Sequence, residues 1–276
     1  MTKLNITKEQ IEDLYCNKKL SIREIAKIYC VAFDTVRRKL KKFNIRPIFG
    51  HRKFLDKKGV KLTSLQKEVL MGSLFGDGHL VKRVNGSCNY SESHSIKQEF
   101  YAKWKINILS NILAKHSTYT DKRGVESINF RTITHEELKP LHELFYRGKV
   151  KIVNKEILNS LTPLGIAVWI MDDGSRSGRN IRISTDCFTY EEQLLFKNFF
   201  KAKYDIDVRV QKTTRTRNNK TYWYLVFNRT NSIKLTHLIK DFVLEEFKYK
   251  LTDFSKIKRL YPRHKLEIEN WLAARG

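Results

Sequence analysis

Acidic residues are scarce in this chain. Only 29 aspartates and glutamates stand against 54 lysines and arginines, a formal net charge of +25 over 276 residues. An excess that large repels itself unless a polyanion neutralises it, so nucleic acid is the first partner to consider. A membrane surface is the rival, but the basic residues run through the whole chain instead of forming one juxtamembrane cluster. Cysteine is rarer still: Cys16, Cys30, Cys88 and Cys187 form no CxxC pair. That argues against a zinc module and for reduced thiols in an intracellular protein. The 12 glycines and 4 prolines are too few for a collagenous or low-complexity chain. No apolar run approaches the length of a membrane span, and the opening MTKLNITKEQ has no apolar signal core. The expected location is a bacterial or phage-infected cytoplasm, or an organelle matrix. What is present is 41% hydrophobic and 30% charged residues, a folded composition long enough for one large domain and one small one.

Residues 1–47 read as the small all-α domain. A first helix runs from Lys8 to Asn17 with Ile11, Leu14 and Tyr15 on one face. Ser21 and Glu24 form a capping box for a second, striped by Ile22, Ile25, Ala26 and Tyr29. After a break at Cys30–Phe33, Asp34 is the expected cap of a third. The pattern SIREIAKIYCVAFDTVRRKLKKFNI resembles a helix-turn-helix, in which a small residue, here Ala26, lets two helices approach and the last lies in the major groove. Arg37, Arg38, Lys41 and Lys42 on that helix are candidate DNA contacts, with Lys39 and Arg46 adding to the charge. Residues 48–62, with Gly50 and Gly59, read as a basic linker.

The remainder divides into two similar halves, 63–160 and 161–262, followed by a tail, 263–276. Each half opens on a capped, unusually apolar helix. Thr63 and Gln66 form a capping box for the first, and Thr162 with Pro163 starts the second. The first half continues with strands Leu80–Val84 and Asn89–His94, helix Lys97–Leu113, strands Ser117–Asp121 and Ser127–Thr132, and helix His135–Phe145. The second continues with strand Ile181–Ser184, helix Tyr190–Tyr204, a hairpin of Val208–Thr213 and Thr221–Phe227, and helix Ser232–Phe242. This is an internal repeat.

Both apolar helices end in Asp-Gly: VLMGSLFGDG at 69–78 and IAVWIMDDG at 166–174. Gly78 and Gly174 suit the left-handed position that ends a helix. An aspartate there is electrostatically unfavourable, because the carbonyl end of a helix carries partial negative charge. Two such violations at matching points of a repeat point to function. If the helices pack side by side, Asp77 and Asp173 meet at one end and build an oxygen-rich site of the kind Mg²⁺ prefers.

These residues resemble the LAGLIDADG homing endonuclease family. Leu70 to Gly78 match the motif at its Gly and terminal Asp-Gly positions, and LTPLGIAVWIMDDGS is similar to the second motif of the intron-encoded branch. Val168 stands where a small packing residue is usual, and Asp172 also departs from the pattern. The resemblance covers roughly residues 63–255. It implies an α+β fold of two pseudo-symmetric repeats, each αββαββα with a saddle-shaped antiparallel sheet. It further implies a monomer that cuts both strands of DNA with Mg²⁺ or Mn²⁺, two or more ions being shared between the motif acids. The implied metal residues are Asp77 and Asp173, with Gly76 and Asp172 beside them. Lys151 and Lys250 stand where a lysine follows the last helix of each repeat, with Lys149 and Lys248 as near rivals. Gln98 resembles a polar position near the metal shell. His79, His94 and His135 are candidate ligands too, but such histidines are more often ordinary polar contacts and are left unassigned.

For DNA, the stretch Arg209–Lys220 holds Arg209, Lys212, Arg215, Arg217 and Lys220 and no acid. A β-ribbon of that kind can read the major groove. Lys82 and Arg83 are its counterpart in the first half, and Lys256–Arg263 adds further charge. The expected function is a site-specific double-strand DNA endonuclease encoded in a group I intron, since the ends of the chain lack intein splicing residues. The alternatives are an RNA maturase acting on intron RNA, or a non-cutting regulator on the same fold.

Overall fold

The computed structural model describes residues 4–18, 20, 22–45, 60–84, 86–215, 220–252 and 260–275. Ser21, Arg46, Gly50, Gly59, Arg217 and residues 256–259 of the Lys256–Arg263 stretch lie outside them, as does nearly all of the expected linker. The chain divides into two compact units, Met1–Val60 and Lys61–Gly276.

The first unit has helices α1 (Lys8–Glu12), continued as a π-helical stretch to Asn17, α2 (Ile22–Ile28) and α3 (Phe33–Lys42). Thr7 and Gln10 cap α1 reciprocally. Ile11, Tyr15, Ile25, Val36 and Leu40 close a small core, and Ala26 is buried where α2 meets α3. The turn between them passes through Cys30, held at φ 49°, and the Val31 N–H donates to Ala26 O. Arg37, Arg38, Lys41 and Lys42 are all exposed on α3.

The second unit contains the two repeats. The first is α4 (Ser64–Phe75), β1 (His79–Lys82), β2 (Cys88–Ser95), α5 (Glu99–Ile108), β3 (Leu113–Thr120), β4 (Glu126–Thr132) and α6 (Leu138–Phe145). A short hairpin, β5 (Tyr146–Arg147) and β6 (Val150–Lys151), and helix α7 (Lys155–Ser160) lead to the second. This is α8 (Pro163–Asp173), β7 (Gly174–Ser177), β8 (Asn180–Ser184), α9 (Tyr190–Tyr204), β9 (Arg209–Arg215), β10 (Lys220–Phe227) and α10 (Arg229–Ile239). The antiparallel sheets have matching orders, β1-β2-β4-β3 and β7-β8-β10-β9. The expected αββαββα duplication is the observed fold.

Two of the caps read from sequence form: Thr63 and Gln66 close a capping box on α4, and Thr162 caps α8 with Pro163 next in the chain. Asp34 does not cap α3, which starts at Phe33 with Ala32 at its N-cap and puts Asp34 in the first turn. Differences arise where tertiary contacts decide. Strand β7 is Gly-Ser-Arg-Ser, with no β-branched residue and no apolar alternation; pairing with β8 makes it a strand. The expected helix from Lys97 breaks into a 3₁₀ turn (Ile96–Gln98), α5 and a second 3₁₀ turn (Ser110–Ile112), which frees Leu113 to start β3. The residues read as a tail form helix α11 (Pro262–Ala273), which buries Ile268 and Trp271, and the Trp271 indole donates to Tyr204 O at 2.7 Å.

Glycine at the motif ends answers a need for space, not for left-handed backbone. Gly174 has φ −78° and Gly78 is not among the positive-φ residues. A Cβ at Gly174 would lie 2.5 Å from Ile170 O, and one at Gly78 2.4 Å from the Tyr90 hydroxyl.

Candidate active site

Close approach of α4 and α8 builds the site. A Cβ on Gly72 would lie 2.3 Å from Gly165 O and 2.7 Å from Val168 Cβ, so the first motif supplies the small residue that Val168 does not. Along the same face, a Cβ on Gly76 would lie 2.4 Å from Asp172 Cβ. Residues 72 and 76 are one turn apart, so a single row of α4 carries the seam and brings the two helix ends together. Phe75 and Trp169 seal the seam from below, ring centroids 5.0 Å apart.

At that shared end the Asp77 N–H reaches Asp172 Oδ2 at 3.4 Å. Asp77 is exposed and Asp173 half-buried. Burial, then the charges of Asp77 and Asp172, push the Asp173 carboxyl up to about 7, against the pull of Lys151 and Lys250. Carboxylates crowded at two helix ends repel one another without a cation. Their oxygen donors fit a hard divalent ion, which would relieve the repulsion.

Lys151 and Lys250 take matching places. Lys151 Nζ donates to Gly76 O (3.1 Å) and Gly78 O (2.8 Å), across the end of α4. Lys250 Nζ donates to Ile170 O (3.2 Å), Met171 O (2.6 Å) and Asp172 O (3.3 Å), across the end of α8. Each ammonium therefore lies against the negative pole of one motif helix. Burial lowers both lysines' pKa, and the nearby aspartates oppose the shift. The rivals are elsewhere: Lys149 is exposed in the β5–β6 turn, and Lys248 pairs with Glu245 at 2.5 Å. Gln98 ends the 3₁₀ turn before α5, half-buried.

Asp172 is held in a buried ionic cluster. Its carboxylate accepts from Lys105 Nζ (2.9 and 3.1 Å) and the Tyr101 hydroxyl (2.7 Å). Lys105 also donates to Glu92 Oε1, which faces His94 Nε2 at 2.8 Å, while the Tyr90 hydroxyl donates to Glu92 Oε2. Burial raises the Asp172 pKa. Burial also opposes ionisation of Glu92, but Lys105 and His94 outweigh it and hold that carboxyl well below the usual range. Sequence reasoning missed Glu92, Tyr101 and Lys105. A signal existed: Tyr101, Ala102, Lys105 and Ile106 share one helical stripe, and Glu92 alternates with Tyr90 and His94 on the inward side of β2.

The opposite faces of the sheets are polar. On the first, pairing aligns His79, Ser91, Arg131 and Lys115 in one row and Ser93, Asn129 and Ser117 in the next. On the second, Arg209, Gln211 and Thr213 alternate with the inward Val210, and the Arg182 guanidinium lies 3.5 Å from the Tyr224 ring centroid. Arg209, Lys212, Lys220, Lys82 and Arg83 are exposed, and Arg83 Nε donates to Asn89 at 3.2 Å. Lys115, Arg131 and Arg182 join them as basic residues that the sequence reading did not single out.

A model of the LAGLIDADG DNA endonuclease family matches residues 67–235, from the first motif helix into α10. The chain belongs to the LAGLIDADG DNA endonuclease family. Among relatives, the cytochrome b mRNA maturase bI2 of Saccharomyces cerevisiae is 28% identical over 206 residues, 67% of this chain and 47% of that protein. A protein RecA of Mycolicibacterium flavescens is 28% identical over 207 residues, 69% of this chain and 47% of that protein. The chain thus spans about half the length of these two. The DNA endonuclease I-ChuI of Chlamydomonas applanata is 27% identical over 216 residues, 71% of this chain and 99% of that protein. In fold the chain is similar to the homing endonuclease I-WcaI bound to its DNA recognition sequence. The TM-score is 0.65 at 20% identity, covering 73% of this chain and 94% of that one. The match to the LAGLIDADG family takes in both motif acids, both sheets and Lys151. It leaves out the N-terminal unit and Lys250.

Proposed function

We propose that the chain is a site-specific homing endonuclease that hydrolyses one phosphodiester in each strand of double-stranded DNA, acting as a monomer. The observation that carries this is the close packing of the two motif helices at Gly72 and Gly76, which brings the charges of Asp77 and Asp173 to bear on each other, each helix end braced by a lysine. The relative I-ChuI is named as a DNA endonuclease, and I-WcaI as one bound to its DNA recognition sequence.

Hydrolysis needs a water that loses a proton, stabilisation of charge growing on the phosphorus oxygens, and help for the leaving oxygen. Mg²⁺ or Mn²⁺ held by Asp77 and Asp173 would supply Lewis-acid stabilisation and an acidified water. The chain's own groups set the stage for this. Lys151 uses two of its three protons on carbonyls, leaving one for a phosphate oxygen or a water. Lys250 directs all three at carbonyls, so its work is to offset the pole of α8. The Gly76 carbonyl is engaged by Lys151, and the Asp172 carboxylate by Lys105 and Tyr101; both residues brace the site from behind. The polar sheet faces would track the DNA, with basic residues on phosphates and Gln211, Asn129 and Arg131 on base edges. Arg37, Arg38, Lys41 and Lys42 would add a separate major-groove contact.

The test is cleavage of a randomised-site DNA library by the full chain in Mg²⁺, with Ca²⁺ as the binding-only control. The expected result is one enriched long site cut in both strands in Mg²⁺ alone. A product pool no different from the input would refute the proposal. Binding of structured intron RNA in preference to any DNA would favour the maturase reading instead.

A further inference from the structure

His94 is the one residue of the buried cluster whose bonding is incomplete. Its side chain is 1% exposed, and its Nδ1 has no hydrogen-bond partner. Asp77 Oδ2 lies 3.6 Å away, beyond hydrogen-bond reach. Hydrogen-bond accounting fixes what that nitrogen is. Glu92 Oε1 already receives the Lys105 ammonium and Oε2 the Tyr90 hydroxyl, so Glu92 only accepts. His94 Nε2, 2.8 Å from Glu92 Oε1, must therefore carry the proton and donate it. In that tautomer Nδ1 is a lone pair 3.6 Å from a carboxylate oxygen. Two acceptors across 3.6 Å, one of them buried, are repulsive unless a proton or a metal cation lies between them.

We infer that His94 Nδ1 and Asp77 Oδ2 form a mixed nitrogen–oxygen site for a transition-metal dication, with Glu92 orienting the imidazole from behind. The inference rests on the nuclease reading, since Asp77 is common to both. A carboxylate that holds the far nitrogen of a ligating histidine is a recurrent way to fix its tautomer and raise its basicity. Asp77, Glu92, His94 and Asp172 each have a donor atom within 4.8 Å of the others. Asp172 and Glu92, however, are engaged by Lys105, so the donors left for an ion are His94 and Asp77. Waters and a phosphate oxygen would complete the shell. Imidazole favours Mn²⁺, Co²⁺, Ni²⁺ or Zn²⁺ over Mg²⁺, which prefers oxygen alone.

The second repeat has no such device. The strand registers match Leu80–Tyr90 with Arg176–Ile181, which puts Ile183 in the place of Glu92 and Thr185 in the place of His94. Thr185 is already bonded to Gln193 at 2.8 Å. The nitrogen donor therefore belongs to Asp77 alone, and the two motif acids are chemically unequal.

The test is pulsed electron paramagnetic resonance of Mn²⁺ bound to the full chain. Wild type should show a ¹⁴N coupling from one imidazole. In His94→Gln the coupling should vanish and Mn²⁺ affinity should fall about tenfold or more, with Mg²⁺ affinity changed far less. Glu92→Gln keeps the ligand but weakens its orientation, and should retain the coupling with intermediate affinity. Bound Mn²⁺ with oxygen ligands only, or no bound Mn²⁺ at millimolar ion, would overturn the inference. Library cleavage in Mg²⁺ reports on the nuclease reading separately. Cutting with no ¹⁴N coupling would remove the histidine site and leave the nuclease standing.

Discussion

At the residue scale, the structure turns an unfavourable pair of acids into a measurable quantity. Asp173 resists ionisation up to about pH 7 when no cation is present, first through burial and then through Asp77 and Asp172. The sign follows from linkage. Below about pH 3 the carboxyl is largely protonated in folded and unfolded chains alike. As pH rises from there, the unfolded chain ionises first, so stability falls until about pH 7 and then levels off. Asp173→Asn should therefore raise the melting temperature in EDTA by a few degrees at pH 8, and the gain should fade toward about pH 3. A variant that melts below wild type at pH 8 would mean the acids do not repel each other in the folded protein. The acids themselves were legible in sequence because they break a helix rule twice. Their support was less so. Lys105 and Glu92 look like ordinary charges until the fold puts both on inward faces, and His94 gains meaning only from their pairing. The lysines could be narrowed to two pairs, but only geometry separates Lys151 from the exposed Lys149.

At the element scale, the seam between α4 and α8 fixes where the two acids stand. Gly72 has no spare volume, since a Cβ there would meet the Gly165 backbone oxygen at 2.3 Å. Gly72→Ala should push the helices apart and cost about 1–3 kcal/mol of stability, as overpacking does. Cutting should fall more than DNA binding, because the acids separate while the sheet faces stay intact. Urea unfolding and paired cleavage and binding assays check both halves; equal losses in cutting and binding would remove the seam's special role. Caps, apolar periodicity and the Tyr190–Tyr204 helix were readable because local chemistry decides them. Strand β7, helix α7 and helix α11 were not. Their short or polar sequences become regular only through partners: β8 for β7, the core for Ile157 and Leu158 of α7, and Tyr204 for Trp271 of α11.

At the scale of the whole molecule, the duplication explains the distribution of parts. Repetition supplies two acids, two bracing lysines and two sheets of matching order. The N-terminal unit occurs once. A chain that begins near residue 52 keeps both motif helices and should still cut. It should bind DNA more weakly and with a shallower salt dependence, because it neutralises fewer phosphates, and its footprint should shorten on one flank only. An unchanged footprint and salt slope would reassign the basic face of α3 to some other role. The central claim is that Asp77 and Asp173 serve chemistry while other surfaces serve binding. The most direct measurement compares wild type with Asp77→Asn/Asp173→Asn on the selected DNA site, recording strand cleavage in Mg²⁺ and affinity in Ca²⁺. The expected result is loss of double-strand cutting with affinity held within about tenfold, as separate metal and groove contacts require. Full double-strand cutting by the double variant would contradict it.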